Sequence, residues 1–181
     1  VYMDLIDYTI KKGKSVIVLI PEIALTYQTV MRFTRRFKEK VSIINSRLSS
    51  GERYDQFERA KNGDVTIMIG PRSALFTPFS NLGLIVIDEE HESAYKSESV
   101  PKYHAIEVAQ KRAYDTGATV VLGSATPSLE SYYKAKNGTY ILHKLTTREK
   151  GNLPSVSIVD LREELQQGNK SIFSNKLQTL I

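Results

Sequence analysis

The chain has 181 residues, of which 41% are hydrophobic and 25% charged, as is typical of a soluble globular protein with one buried core. Cysteine is absent, which excludes disulfide bonds and thiolate zinc sites, and the net charge of +5 permits nucleic-acid binding without requiring it. The sequence contains neither a membrane-spanning apolar run nor a signal peptide, so we expect a cytoplasmic protein with no membrane partner.

Apolar patterning predicts helices that alternate with strands along most of the chain. In order, the pattern indicates a helix over 2–12, a strand at 15–20, a helix from Glu22 to about 40, a strand at 41–45, a helix over 51–61, strands at 65–69 and 84–87, a helix over about 104–115, a strand at 119–122, a helix from Ser128 and a last strand candidate at 140–145. This alternation predicts an α/β domain with a mostly parallel sheet. We assign the domain to 1–146.

The remaining residues, 147–181, have a different character. The stretch 147–152 is polar and is interpreted as a linker, and 171–181 is typical of the start of another helix with Ser174 as its cap.

The most informative stretch is 84–91, with the sequence LIVIDEEH. An unbroken apolar run predicts a strand buried on both faces, and open α/β sheets bind ligands at the carboxyl ends of such strands. In a nucleotide hydrolase, Asp88 would hold Mg²⁺ through its water shell and Glu89 would orient or deprotonate the attacking water. A buried strand that ends in a solvated acidic loop would show the same pattern, so the rest of the chain decides.

Three other strands also end in turns that contain glycine or proline, at 20–22, 70–73 and 123–126. In a parallel sheet these turns and Asp88-Glu89 must lie along one edge, and we expect a ligand there.

Four segments of the chain stand out together: VLIPEIALTYQ at 18–28, GPRSALFTPF at 70–79, LIVIDEEHESAYK at 84–96 and LGSATPSLES at 122–131. In this order and spacing they resemble the PriA family of primosomal replication-restart DNA helicases, which belongs to superfamily 2. The resemblance covers nearly the whole chain. It implies a RecA-like P-loop NTPase fold, with three α/β/α layers, and ATP hydrolysis coupled to translocation on single-stranded DNA.

The resemblance also implies cofactors and partners for the intact protein. The cofactors are ATP and Mg²⁺, with zinc expected in the intact family member but not in this chain. The partners are forked and single-stranded DNA, single-strand binding protein and primosome proteins.

Residue roles follow from the same resemblance. Asp88 would coordinate Mg²⁺, and Glu89 would activate water for ATP hydrolysis, so both belong to the nucleotide site. His91, Ser124 and Thr126 would link the nucleotide state to DNA.

The positions implied in DNA binding are Pro21, Glu22, Gly70, Arg72, Ser73, Tyr95, Lys96, Lys102 and Tyr103. Tyr95 and Tyr103 would stack on bases, while Arg72, Lys96 and Lys102 would meet phosphates. Tyr103 is equally well explained as a core residue that opens the next helix, and His104 is expected to cap or pack that helix.

The sequence departs from the family because it contains no P-loop of the form G-x-x-x-x-G-K-[ST]. Gly13-Lys14-Ser15 precedes a strand instead of following one, and Tyr8 stands where the first glycine should be. We therefore expect a fragment of the first helicase lobe that lacks the P-loop strand and is inactive alone. The strand at 119–122 would then form an unpaired edge.

Two other interpretations remain open. A restriction-type or chromatin-type motor of superfamily 2 shares the acidic and SAT motifs, but the matches at 18–28 and 70–79 argue against it. A non-catalytic DNA-binding or scaffold module would retain the fold, but it has no need for Asp88 and Glu89 together at one strand end.

Overall fold

The computed structural model of the protein describes residues 1–146 and 155–181. These residues form two compact units, Val1–Ile141 and Leu142–Ile181. The linker predicted at 147–152 lies outside the described residues.

The first unit follows the predicted alternation of helices and strands. In chain order its elements are α1 Tyr2–Lys11, β1 Ser15–Leu19, α2 Tyr27–Phe37, β2 Val41–Ile43, α3 Ser50–Asn62, β3 Ile67–Gly70, β4 Leu82–Ile87, α4 Ala105–Thr116, β5 Thr119–Leu122 and α5 Leu129–Lys136. Short 3₁₀ turns occupy Glu22–Ala24, Lys38–Lys40, Arg72–Phe76 and Ser93–Tyr95.

The strands form a parallel sheet with the order β2-β3-β1-β4-β5. Because all pairings are parallel, every strand ends at the same edge, as the sequence predicts. β4 lies inside the sheet between β1 and β5. β5 is the last strand in this order, so the expectation that 119–122 is an edge strand is confirmed for the residues that the structure describes.

Alternate residues of the inner strands β1, β3 and β4 face two separate cores. In β1, Ile17 and Leu19 pack with α3 and α4, whereas Val16 and Val18 pack with α1 and α2. β4 divides in the same way, and all of these side chains are fully buried. Burial on both faces explains the unbroken apolar runs of the sequence and confirms the predicted three-layer α/β/α fold.

Side-chain caps set several helix ends. Ser49 and Glu52 form a reciprocal capping box at the start of α3. His104 caps α4, since its ring accepts a hydrogen bond from the Ile106 N–H at 3.3 Å, which confirms its predicted role.

The structure corrects two predicted elements. The helix expected from Glu22 begins only at Tyr27, because the Thr26 hydroxyl accepts the Thr29 N–H as a new cap after a single 3₁₀ turn. The strand candidate at 140–145 does not form. Ile141 is 85% exposed, so this short apolar stretch has no sheet to join.

The second unit contains α6 Leu161–Gln166 and α7 Asn175–Leu180. Asp160 caps the first, and Ser174 caps the second as predicted. Among the residues described, no helix combines the length and apolar character needed to cross a membrane.

Because the sheet is buried on both faces, replacing an isoleucine inside it should lower the free energy of unfolding far more than replacing an isoleucine at the surface. Ile85→Ala, at a fully buried site in β4, should lower the free energy of unfolding by about 2–5 kcal/mol through lost apolar burial and a residual cavity. Ile23→Ala is the matched control, because Ile23 is 87% exposed and should change stability by less than about 0.5 kcal/mol. Urea denaturation measures both, and similar small losses would contradict the two-faced core.

Candidate functional site

The acidic loop, residues 88–91, is hydrogen-bonded to the ends of both strands that flank β4. The Asp88 N–H donates to the Leu19 carbonyl at 2.9 Å, and the Glu90 N–H donates to the Gly123 carbonyl at 3.0 Å. Between them, Glu89 adopts a φ of +48°, in the left-handed region that residues other than glycine rarely occupy. The backbone therefore reverses directly after Asp88, at the edge where the sequence predicts a ligand.

One oxygen of the Asp88 carboxylate has a firm partner. The Tyr2 hydroxyl donates to Oδ1 at 2.8 Å, and no donor among the described residues reaches Oδ2. Burial, followed by the hydrogen bond to Asp88, raises the pKa of Tyr2, so the phenol remains protonated as a donor. Sequence reasoning missed Tyr2, because 86 positions separate the partners and a tyrosine in an amphipathic helix is usually a packing residue.

A second contact connects the acidic loop with the loop after β5. His91 Nδ1 lies 2.7 Å from the Ser124 hydroxyl and 3.7 Å from Glu89 Oε2. The Ser124 hydroxyl also accepts the Thr126 N–H at 2.9 Å. The structure thus brings His91 and Ser124 together, while Thr126 takes part through its backbone and its side chain is exposed.

Glu90, to which the sequence assigned no role, is only 3% exposed and connects the acidic loop to α5. Its carboxylate accepts hydrogen bonds from the Ser128 N–H at 2.7 Å, the Ser128 hydroxyl at 3.1 Å and the Ser131 hydroxyl at 2.8 Å. A carboxylate at the start of a helix is also stabilised by the helix dipole. The sequence contains a hint of this arrangement, namely serines three residues apart at the start of α5.

The prediction that Tyr95 stacks on a DNA base is wrong. Tyr95 is 1% exposed, and its hydroxyl lies 2.7 Å from the Asp88 carbonyl oxygen and 3.1 Å from that of Leu19. Burial raises the pKa of Tyr95, which keeps its proton available for these acceptors. Tyr95 is a core residue whose hydroxyl holds the ends of β1 and β4 together through hydrogen bonds.

Arg72, expected to meet phosphate, forms an internal contact. Its Nη1 donates to the carbonyl oxygens of Lys96 at 2.7 Å and Ala94 at 3.1 Å. Within the described part of the chain, its Nη2 and Nε make no hydrogen bond. Arg72 therefore joins the loop after β3 to the loop after the acids and retains donors for a further partner.

The loop that carries Lys96 and Lys102 is closed at its base. The Ser97 N–H donates to the Tyr103 carbonyl at 2.8 Å, and Lys96 pairs with His104 in an isolated antiparallel bridge. Both lysines are exposed. Tyr103 is half-buried, with its ring edge-on to Phe76 at a centroid distance of 5.4 Å, so it packs on the protein at least in part.

The turns after β1 and β3 expose only some of the predicted residues. Pro21 and Gly70 are buried, whereas Glu22 is exposed and Ser73 is half-buried. A Cβ atom at Gly70 would lie 2.6 Å from the Ile44 carbonyl oxygen, so close packing against the end of β2 requires glycine there.

Beside Glu22 lies a groove of about 470 Å³, which the sequence did not indicate. Tyr27 and Arg47 are among the residues that line it, and both are exposed. The groove lies at the same edge of the sheet as the acidic loop.

The donor set suits Mg²⁺ better than a metal held entirely by protein. No cluster of three or more potential metal-ligating side chains occurs in the part of the chain that the structure covers. Mg²⁺ keeps most of its waters and uses one or two carboxylates, which fits Asp88 with its second oxygen available.

An α/β/α domain with an all-parallel sheet and two acids at the carboxyl end of an interior strand has the arrangement of a RecA-like domain. A sequence model of the DEAD/DEAH box helicases matches residues 2–135, and the chain belongs to that family.

Individual relatives agree with this assignment and confirm the resemblance described above. The chain is 52% identical over 98% of its length to "Replication restart protein PriA" of Bacillus subtilis, and 48% identical over its whole length to the protein of that name from Synechocystis. It spans 22% of each of these relatives. The solved helicase domain of Pyrococcus furiosus Hef aligns with 74% of this chain and 28% of its own, at 18% identity and a TM-score of 0.43, so the assignment rests on the sequence matches.

The buried contacts of Glu90 predict a large loss of stability on its removal. Glu90→Ala should lower the free energy of unfolding by about 2–4 kcal/mol, because it leaves partly buried hydrogen-bond donors at the start of α5 without an acceptor and removes a buried side chain. Glu90→Gln should cost less, since the amide oxygen can still accept the Ser128 N–H.

The matched control is Glu130→Ala, at an exposed position in the first turn of the same helix, with an expected change below about 1 kcal/mol. Thermal and urea melts measure all three variants. Equal stability of the Glu90→Ala and Glu130→Ala variants would show that Glu90 does not hold α5.

Proposed function

We propose that this chain is part of the first lobe of an ATP-dependent DNA helicase that restarts replication at stalled or forked DNA in the cytoplasm. The observation that carries the proposal is the gathering of four motif segments at one edge of the sheet, around Asp88 and Glu89. The names of the relatives support replication restart as the process. We further propose that the lobe covers 1–146 and that 147–181 is a linker with the start of the next segment.

In this proposal the acidic loop supplies one half of a nucleotide site. Bound Mg²⁺-ATP supplies the phosphoryl group and the positive charge that stabilises its transfer. Asp88 holds the metal through water, using the carboxylate oxygen that Tyr2 leaves available. Glu89 orients the attacking water and accepts its proton at a carboxylate oxygen, a role that suits a half-exposed acid beside His91.

The His91–Ser124 hydrogen bond would couple the conformation of the acidic loop, which depends on the bound nucleotide, to the loop after β5. Glu90 joins the same acidic loop to α5 through Ser128 and Ser131, so a shift of the loop would be transmitted to the helix. We propose Thr126 as part of this connection through its backbone bond to Ser124.

We propose that DNA lies along the outer part of the same edge. Lys96 and Lys102 are exposed and would bind phosphates, as would the unused donors of Arg72. The exposed turn at Glu22 would contact the DNA backbone through its main-chain N–H groups and Ser73 through its hydroxyl, while buried Pro21 and Gly70 shape the turns. Tyr103 would add a stacking surface only on the side that Phe76 does not cover.

The proposal extends to the protein partners and the metal of the complete protein. Single-strand binding protein and primosome proteins are expected partners of the complete protein. Zinc, if the complete protein binds it through cysteines, must bind outside this chain, because the chain has none.

The catalytic proposal is tested by steady-state ATPase assays of the full-length gene product with and without forked DNA. Glu89→Gln should lower DNA-stimulated hydrolysis by at least about 100-fold, because the amide cannot accept a proton from water. Glu39→Gln is the control, since Glu39 is an exposed acid in the turn before β2, at the opposite edge of the sheet, and should leave the rate unchanged.

This chain alone should not hydrolyse ATP, because its sequence contains no P-loop. A full-length product that remains silent with forked DNA present would refute the helicase proposal. The acids would then be structural, and a DNA-binding module would be the better description.

The DNA-binding proposal predicts a change in salt dependence. Joint replacement of Lys96 and Lys102 by alanine should weaken single-stranded DNA binding and lower the slope of log affinity against log salt by about 1.4, the value for two lost phosphate contacts. Lys61→Ala is the control, because Lys61 lies at the end of α3, by the opposite edge of the sheet. Fluorescence anisotropy over a salt series measures the slopes, and parallel slopes for all proteins would contradict the proposed path.

A further inference from the structure

We propose that Tyr2 is a positioning residue of this site, whose hydroxyl orients the Asp88 carboxylate toward the metal and its water shell. The inference rests on the proposed function and adds a residue that none of the motif segments contains. Three features of the structure carry it.

The first feature is the geometry of the contact. Tyr2 is the first residue of α1, its ring packs with the core on that face of the sheet, and its hydroxyl donates to Asp88 Oδ1 at 2.8 Å. An aspartate side chain turns about two bonds, so a bond to one oxygen restricts where the other points. The contact leaves Oδ2 available.

The second feature is the space in which the hydroxyl lies. A Cβ atom built on Gly123 would be 1.6 Å from the Tyr2 hydroxyl oxygen and 2.8 Å from the adjoining ring carbon, both too close for real atoms. Gly123 is not among the glycines with positive φ, so its backbone does not itself require glycine. The absence of a side chain after β5 therefore makes room for this hydroxyl.

The third feature is that two tyrosines bind different parts of Asp88. Tyr95 holds Asp88 by its main-chain carbonyl, which fixes the backbone, and Tyr2 holds the side chain. The two tyrosines come from opposite sides of the sheet, since Tyr2 belongs to one core cluster and Tyr95 to the other. Groups that orient a metal ligand in this way typically change metal affinity or activity by roughly 10–100-fold when removed.

The test uses Tyr2→Phe in the full-length gene product, which removes the hydroxyl and keeps the ring. Tyr8→Phe is the matched control, because it removes the same group from an exposed position on the same helix. One readout is Mn²⁺ affinity in the presence of a non-hydrolysable ATP analogue, followed by electron paramagnetic resonance, since Mn²⁺ accepts the same oxygen ligands as Mg²⁺. The other is the Mg²⁺ concentration that gives half-maximal ATPase.

We expect Tyr2→Phe to weaken Mn²⁺ binding by about 10-fold or more and to raise the half-saturating Mg²⁺ concentration in parallel. Tyr8→Phe should match the unmodified protein in both measurements. A lower melting temperature with unchanged metal affinity would show that Tyr2 only packs, and it would overturn the inference.

A second substitution approaches the same contact from the other side. Gly123→Ala should displace the hydroxyl and reproduce the loss of metal affinity, and adding Tyr2→Phe to it should cause little further loss, because both changes break one interaction. Gly51→Ala is the control, with open space around its Cβ atom. Additive losses in the double variant would count against a shared contact, and if Gly123→Ala does not fold, Tyr2→Phe alone decides.

Failure of this inference differs visibly from failure of the proposed function. If the unmodified protein shows DNA-stimulated ATPase and Tyr2→Phe behaves like Tyr8→Phe, the helicase proposal stands and Tyr2 has no positioning role. If the unmodified protein has no ATPase activity, both proposals fall.

Discussion

The parallel pairing of β4 with both β1 and β5 is the constraint on which the candidate site depends. Ile87, the last residue of β4, lies opposite Leu19 on one side and Leu122 on the other. The acids therefore emerge between two strand ends, where the main chains of both neighbours are within hydrogen-bond reach. An acidic loop at an outer strand would have only one such neighbour.

Hydrogen bonds from several directions hold the loop in a conformation that is costly by itself. The left-handed backbone of Glu89 costs on the order of 1–3 kcal/mol, and such residues persist when their surroundings determine their position. Here Asp88 is held by its amide, its carbonyl and its carboxylate, and Glu90 by its amide and its carboxylate. The reversal that places Glu89 at the edge is thereby a property of the whole domain.

The acids proposed to meet the nucleotide and the two lysines proposed to meet DNA lie on one continuous segment, 88–103, between β4 and α4. Tyr95 fixes the loop to the end of β4, and Arg72 holds the residues on both sides of Tyr95 by their carbonyl oxygens. A rearrangement at the acids therefore has a short covalent route to the exposed lysines. The contact of Arg72 is internal, which a motif comparison alone does not reveal.

The sequence by itself determined the fold class and most of the sheet, because an apolar run of β-branched residues between polar turns specifies a buried strand locally, as at 84–87. The sequence also determined the helicase family, since the four motif segments stand in the order and spacing found in that family. Only the tertiary structure decided which single residues are buried and which hydrogen-bond partners they have. Tyr95 lies in a polar loop yet is buried, and Tyr2 meets Asp88 across the sheet. The physical reason is that periodicity and propensity depend on neighbours in the chain, whereas burial and hydrogen-bond partners depend on atoms that only folding brings together.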